Sequence, residues 1–399
     1  MEILIYRYNS ICEPDIIQVF ESFGLSVLQE TMEMTDKKIP PSRCAEKITE
    51  WILSHKLSFI FSVNFFPAIS HTCNHFKVPY VCWSVDSPVV ELFSNALKNE
   101  WNRIFLFDRA QYSFFHPHNP EHIYYLPLAS NAARWEKVIL EMTEEDYRKY
   151  GSDVAFVGSL YSEKCPYDRL LAEHSVSSYA QGYVDGLIQA QRKIFGCNFI
   201  YDTLSEEIIR EIASSDPSFY KGQDVFLDTD RYLVAHQYIG MKLASVERHA
   251  LLSALSERFD VSLYTRSDTS ALPHVHAKGG ANTLTEMPKI FQASKINLNI
   301  TMRPIETGLS LRIWDVLCCG GFLLTNYQAE IPEYFEIGKD LEVYENEEDL
   351  IQKVDYYLHH EAERMEIALH GYEKAVTYHT YEIRLAEMIR ILSEGTGGR

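Results

Sequence analysis

No apolar stretch in the 399-residue chain approaches the roughly 18 residues needed to cross a membrane. The opening residues, Met-Glu-Ile-Leu-Ile-Tyr-Arg, lack the basic run, apolar core and cleavage site of an export signal, so a soluble cytoplasmic protein is expected. The eight cysteines are scattered at positions 12, 44, 73, 82, 165, 197, 318 and 319, and none has the C-x-x-C spacing of a zinc ribbon or redox motif. They read as reduced core thiols. Three nucleotide and hydrolase signatures are also missing: G-x-x-x-x-G-K-[ST], G-x-G-x-x-G and G-x-S-x-G. Their absence argues against a P-loop NTPase, a standard NAD enzyme and an α/β-hydrolase. Cations are scarce, with 37 Lys and Arg against 56 Asp and Glu for a net charge of −19. A field of that sign repels nucleic acid and anionic membranes, so neither is expected as a partner.

What is present is ordinary globular material: 46% hydrophobic, 13% aromatic and 23% charged residues, with 18 Gly and 15 Pro. At about 150 residues per domain, the length predicts two to three domains. Short apolar runs recur at Glu2 to Arg7, Leu25 to Gln29, Ser58 to Val63, Tyr80 to Ser84, Arg103 to Phe107 and Ile123 to Pro127. Between them lie stretches with apolar residues at three- and four-residue intervals, such as Pro14 to Phe23 and Ser42 to His55. Strands this apolar, alternating with helices, are the signature of a parallel sheet covered on both faces. The first domain is placed at residues 1–135.

After a charged helical stretch from Arg134 to Lys149, the pattern restarts at Asp153-Val-Ala-Phe-Val-Gly158 and gives way to a helical region. It resumes at Val261 to Thr265, His274 to Ala277, Ile296 to Ile300, Phe322 to Thr325 and Leu341 to Tyr344. A second α/β domain over residues 150–375 follows, with a helical insert over about 165–258, and residues 376–399 form a helix that could cross back to the first domain. Two doubly wound, Rossmann-like domains in tandem would face each other across a cleft, where open α/β sheets bind ligands.

The densest chemistry starts at Ile296: INLNITMRPIETGLSLRIWDVLCCGGFLLTNYQAEIPEYF. A strand runs into a polar loop and then a short helix, which is the layout of an anion site. Gly308 lets the backbone approach closely, helix-start N–H groups can face a phosphate, and Arg312 adds a fork of donors. Asp315, three residues on and on the same helix face, can accept from ribose hydroxyls. The competing reading makes Arg312 and Asp315 a surface i,i+3 ion pair; the loop context favours the nucleotide.

This stretch, with YENEEDL, HTYEIR and the DVAFVGSLY that opens the second domain, resembles the group 1 glycosyltransferase domain of the CgeB-like (spore-maturation-protein-like) proteins, which have the GT-B fold. SVNFFPAIS and YVCWSVDSP match more loosely. The resemblance implies transfer of a sugar from a nucleotide-activated donor held mainly by the second domain to an acceptor held by the first. Carried over by position, Gly158 and Ser159 would face the diphosphate with Lys164 as partner; Gly308, Ser310 and Arg312 would hold the phosphates, and Asp315 the ribose. Related enzymes carry a Glu-x7-Glu pattern here. In this chain the second acid is Asp315, the position eight before it is Thr307, and Glu306 lies one residue off, so Glu306 enters as a catalytic candidate and the stereochemistry stays open. A uridine diphosphate sugar is the favoured co-substrate, with no cofactor and an acceptor that is a protein or a glycan.

Asn64 and Asp86 each follow a strand's carboxyl end, on the acceptor side. Asp86 in WSVDSP is a candidate acceptor base or, equally, a helix cap beside Pro88. Asp228-Thr-Asp230 has the D-x-D form of a divalent-metal site, but it precedes a helical run and reads as an N-cap. The histidines at 71 and 75, at 116, 118 and 122, and at 274 and 276 lack an acidic zinc context, so no metal is expected. Alternatives to a glycosyltransferase are a nucleotide-sugar epimerase and a non-catalytic two-domain sugar- or nucleotide-binding protein.

Overall fold

The computed structural model describes residues 1–220, 222 and 224–396. Six strands build the first sheet: β1 (Glu2–Tyr6), β2 (Ser26–Glu30), β3 (Leu57–Val63), β4 (Tyr80–Trp83), β5 (Asn102–Leu106) and β6 (Ile123–Tyr125). Six build the second: β7 (Val154–Val157), β8 (Val261–Tyr264), β9 (His276–Gly279), β10 (Ile296–Asn299), β11 (Leu323–Asn326) and β12 (Glu342–Tyr344). Every pairing is parallel. Burial explains the sequence pattern. Every residue of the inner strands β4, β8, β10 and β11 is buried, whereas the edge strand β9 (His-Ala-Lys-Gly) is exposed throughout.

The two sheets differ in strand order. The first runs β2-β1-β3-β4-β5-β6 and the second β12-β11-β10-β7-β8-β9. The second is the order of the dinucleotide-binding fold, reversing between β7 and β10, while the first has the flavodoxin-like reversal between β1 and β3. In each sheet separately, the loops that leave the two strands at the reversal flank the crevice where a doubly wound sheet takes its ligand.

Chain grouping differs from the sequence expectation. One compact unit comprises Met1–Ala129, Lys221–Thr229 and Thr380–Arg399, and the other Ser130–Tyr220 and Asp230–His379. The boundary falls at residue 129 instead of 135, and part of the helical insert belongs to the first unit. That part is anchored by backbone: Asn95 N–H donates to Asp224 O (2.8 Å) and Phe226 N–H to Phe93 O (3.0 Å). Lys98 lies over the Phe226 ring at 4.6 Å, and His118 packs on the same ring at 4.7 Å. The terminal helix Tyr381–Thr396 also counts with the first unit, where Tyr381 packs edge-on to Trp83 at 5.7 Å and Arg384 Nε donates to Pro127 O (3.1 Å).

One expected long helix is broken and another starts later than expected. Residues 134–149 divide into Ala132–Leu140 and Glu144–Tyr150 because Thr143 and Asp146 form a reciprocal capping box. The helix expected over 376–399 starts at Tyr381, since residues 376–378 are the last turn of the preceding helix Glu361–Tyr378.

In helix Glu361–Tyr378, Gly371 sits so close to its neighbours that an added Cβ would overlap the Asp340 carbonyl oxygen and lie 2.8 Å from Leu317 Cδ2. Gly371→Ala should therefore destabilise the protein by about 1–3 kcal/mol through overpacking, despite alanine's better helix propensity. Urea unfolding checks this; an unchanged or raised midpoint would count against that packing.

Candidate active site

At the reversal between β7 and β10, one side chain ties the two strand ends together. Arg248, on helix Gly240–Ser256, donates from Nη1 to Ser159 O and from Nη2 to Ile300 O, each at 2.5 Å. Its guanidinium lies over the Tyr161 ring at 4.6 Å, and the residue is 8% exposed. Sequence reasoning does not single out Arg248, although a signal exists. It occupies a buried helix row with Ala244, Ser245, Leu251, Leu252 and Leu255, where it is the one charge.

Arg312 approaches the same region from helix Leu311–Cys318. Ser310 is that helix's N-cap, and no side chain caps it; Ile313 N–H turns back to Ser310 O (3.0 Å), while the Leu311 and Arg312 amides have no side-chain cap. Burial lowers the Arg312 pKa; the Asp315 charge opposes this and the Arg248 charge adds to it, which places both arginines in one electrostatic neighbourhood. About a quarter (24%) of the Arg312 side chain remains exposed, so solvent still reaches it. The loop between β10 and this helix is clamped from β11's end: Gln328 Nε2 donates to Ile305 O (3.0 Å) and Gly308 O (3.1 Å), and Asn326 Oδ1 accepts from Thr301 N–H (2.7 Å).

The remaining donor-side candidates stand differently from one another. Gly158, just after β7, has no room to spare, since a Cβ there would lie 3.3 Å from the Phe156 ring and 3.7 Å from Arg248 Nη1. The Ser159 hydroxyl is committed to the turn, donating to Glu163 Oε1 (2.8 Å) and accepting from Tyr161 N–H (2.9 Å). Lys164 is exposed, 6.0 Å from the Tyr161 ring. Glu306 is partly exposed in the clamped loop. At the position where related enzymes carry the first acid, Thr307 donates from Oγ1 to Glu330 Oε1 (2.7 Å).

Asp315 does not stand open for a ribose. Its Oδ1 accepts from Ser130 Oγ (2.9 Å) and its Oδ2 from Arg312 Nη1 (3.2 Å), and the residue is 4% exposed. The i,i+3 ion pair set against the nucleotide reading is thus present, but half inside the unit, with Trp135 Nε1 donating in turn to Ser130 Oγ.

In the first unit, the loops after β1, β3 and β4 meet. Asn64, in the left-handed region at φ 59°, donates from Nδ2 to Asp86 Oδ2 (2.6 Å), while its Oδ1 accepts from Val85 N–H (3.0 Å). The same Nδ2 lies 2.9 Å from Tyr8 Oη. The two acceptor-side candidates are therefore in contact. Asp86 is exposed and caps no helix: the next helical turn, Val90–Phe93, has Val89 as N-cap with no side-chain cap. Burial and then the Asp86 charge push the Tyr8 phenol up. Solvent-accessible Glu91, unremarked in the sequence, has its carboxyl pushed up by desolvation and by the charges of Asp86 and Glu33.

Asp230 opens helix Asp230–Leu233, and among the described residues no three His, Cys, Asp or Glu side chains converge as a metal site would require. None of the eight cysteines forms a disulfide, and no described helix is long and apolar enough to cross a membrane. A cavity of about 620 Å³ opens at the other, amino-terminal ends of β10 and β11, beside Lys295, Gly321 and Arg364. None of the candidate residues lines it, and its position, away from the strand ends that bind ligands in this fold class, separates it from the chemistry.

Residues 248–390 match the glycosyl transferase-like family. No curated protein sequence matches the chain. Among solved structures, a glycosyltransferase from Rickettsia africae is similar at a TM-score of 0.53 and 12% identity, covering 100% of this chain and 99% of its own. Anabaena Alr3699/HepE, solved with UDP and glucose, gives 0.54 and 12%, covering 99% and 100%. WaaG, a glycosyltransferase involved in lipopolysaccharide biosynthesis, gives 0.52 and 12%, covering 100% of both chains. The fold is GT-B.

The buried partners of Asp315 yield a test. Asp315→Ala strands the Ser130 hydroxyl and removes the Arg312 partner, and should cost about 1–3 kcal/mol of stability by urea unfolding. A carboxylate reserved for a ligand would leave the midpoint unmoved.

Proposed function

We propose that the protein is a CgeB-like glycosyltransferase that moves a sugar from a nucleoside diphosphate sugar, a uridine diphosphate sugar being favoured, to an acceptor hydroxyl. The observation that carries this reading is the cationic locus at the β7/β10 reversal, where Arg312 lies beside an uncapped helix start and a glycine-bounded strand end. Charge develops on the diphosphate as the bond to the sugar breaks, and fixed donors at that position stabilise it without reorganising. Gly158 and the Ser159 backbone admit the diphosphate, Gly308 and Ser310 shape the approach to the helix start, and Lys164 supplies a mobile exposed charge. Asp315 acts by holding Arg312 in place. Glu306 is assigned to the sugar.

The first unit is assigned the acceptor. Asp86, aligned by Asn64, takes the acceptor proton in an inverting reaction or orients the hydroxyl in a retaining one. HepE, at 12% identity, was solved with UDP and glucose, which supports the choice of uridine.

Three measurements test this. Calorimetry with UDP should show Arg312→Ala weakened by roughly 1.5–3 kcal/mol, the worth of a charge-assisted hydrogen bond; equal affinity removes Arg312 from the site. Asp86→Asn should cut kcat by about 10²–10⁴ with UDP affinity intact if Asp86 is the base, and by less if it only orients. Normal kcat assigns the proton elsewhere, with Glu91 next in line. Turnover should survive EDTA and the Asp228→Asn/Asp230→Asn double substitution, because cationic side chains and helix amides neutralise the diphosphate; loss in both would move the donor to a metal held by those acids. An epimer formed from UDP-glucose alone would instead identify an epimerase.

A further inference from the structure

A buried cation ordinarily has a carboxylate partner. Arg248 is more than nine-tenths buried, yet among the described residues it makes no ion pair, only bonds to the Ser159 and Ile300 carbonyl oxygens, and its Nε has no partner. The residue before it explains why. Glu247, 3% exposed, gives its Oε1 to Arg303 Nη2 at 2.6 Å in a pair whose two side chains are each 3% exposed. Arg303 is itself held firmly in place. Its guanidinium stacks over Phe195 at 4.1 Å, and its carbonyl oxygen accepts from Asn198 Nδ2 (3.2 Å). Adjacent helix residues point about 100° apart, so Glu247 reaches Arg303 while Arg248 reaches the carbonyl oxygens just after β7 and β10. Both charges, with Arg303, act on the buried Tyr344 phenol.

We infer that Arg248 is a donor-phosphate-binding residue, kept unneutralised because Arg303 occupies Glu247. The inference rests on the nucleotide-sugar reading above and deepens it. Of the three guanidiniums, Arg303 is paired with Glu247 and Arg312 with Asp315, and Arg248 alone has no carboxylate partner among the described residues, which leaves its charge for an anion. The Gly158 backbone passes close beside it: a Cβ there would lie 3.7 Å from Arg248 Nη1 and 3.3 Å from the Phe156 ring, so only glycine lets the strand end approach the guanidinium this closely. Arg248 meets a phosphate there and Arg312 with the helix start meets a second, so the site selects a diphosphate over a monophosphate. Glu247 and Arg303 touch no ligand and are positioning residues.

The test is calorimetry of the full chain with UDP, UMP and uridine, alongside thermal unfolding. Arg248→Gln should weaken UDP by about 10–100-fold, UMP by less and uridine not at all. Arg303→Gln, which leaves Glu247 without its cation, should lower the UDP-to-uridine affinity ratio in the same direction. Adding Glu247→Gln to it restores the local charge and should return the ratio to within about threefold of wild type, as a double-mutant cycle requires. If Arg248→Gln lowers the melting temperature but keeps the wild-type ratio, Arg248 is a strut between two strand ends and the inference is wrong. Should Arg248→Gln fail to fold, the Arg303 and Glu247 variants decide: an unchanged ratio in Arg303→Gln overturns the inference. Wild type that binds no UDP, GDP, ADP or CDP would instead sink the nucleotide reading, a result independent of any variant.

Discussion

The ends of β7 and β10 diverge where the second sheet reverses direction, and one guanidinium spans the gap. By bonding to the Ser159 and Ile300 carbonyl oxygens, Arg248 fixes the spacing of the loops that follow β7 and β10. Each carbonyl at a strand's end lacks a ladder partner and needs a donor. Because the donor used is an arginine, the same contact that completes the backbone hydrogen bonding also sets a positive charge at the crevice. Structure and electrostatics there are one interaction, and changing the side chain alters both.

The first unit solves a similar problem with a neutral side chain. Asn64 leaves β3 in the left-handed conformation, which asparagine tolerates better than most residues. Its amide then accepts from the Val85 N–H after β4 and donates to Asp86. Ser62 Oγ donates to the Asn64 carbonyl oxygen (2.7 Å), so backbone and side chain are both pinned. The carboxylate of Asp86 is thereby oriented while still exposed, which a general base requires and a helix cap does not.

All twelve strands are legible in the sequence, most of them as apolar runs, because parallel strands covered on both faces have little polar content to hide them. Helix ends are less so. The capping box at Thr143 and Asp146 lies inside a charged run that reads as continuous helix, and only the pairing of their side chains shows the break. Lys221–Thr229 reads as part of the insert because its affiliation depends on backbone bonds to Phe93 and Asn95, more than a hundred residues away, which no local pattern encodes. Within the site, Arg312 is visible because glycine and a helix start flank it. Asp315 is visible too, but its commitment to Ser130 is not, since that bond joins residues 185 apart. Arg248 escapes notice for the opposite reason. Its stripe identifies a core helix, and a single charge within an apolar stripe does not change that reading.

The long helical crossover between β7 and β8 is explained by what it delivers. A short crossover only has to cover one face of a sheet. This one also supplies Asn198 to the Arg303 carbonyl oxygen, Phe195 to the Arg303 guanidinium, and Glu247 and Arg248 from a single helix turn. A π-helical turn at Val234–Ile239 precedes that helix, and Gly240, at its start, packs so tightly on Pro304 that a Cβ would lie 2.6 Å from the proline ring. The extra residue of a π turn shifts the register of everything after it. In the register that follows it, the helix presents Glu247 to Arg303 and Arg248 to the Ser159 carbonyl oxygen. The insertion is thus coupled to the ends of β7 and β10 through one helix, whose start is seated by Gly240 on Pro304 and whose later turns carry Glu247 and Arg248.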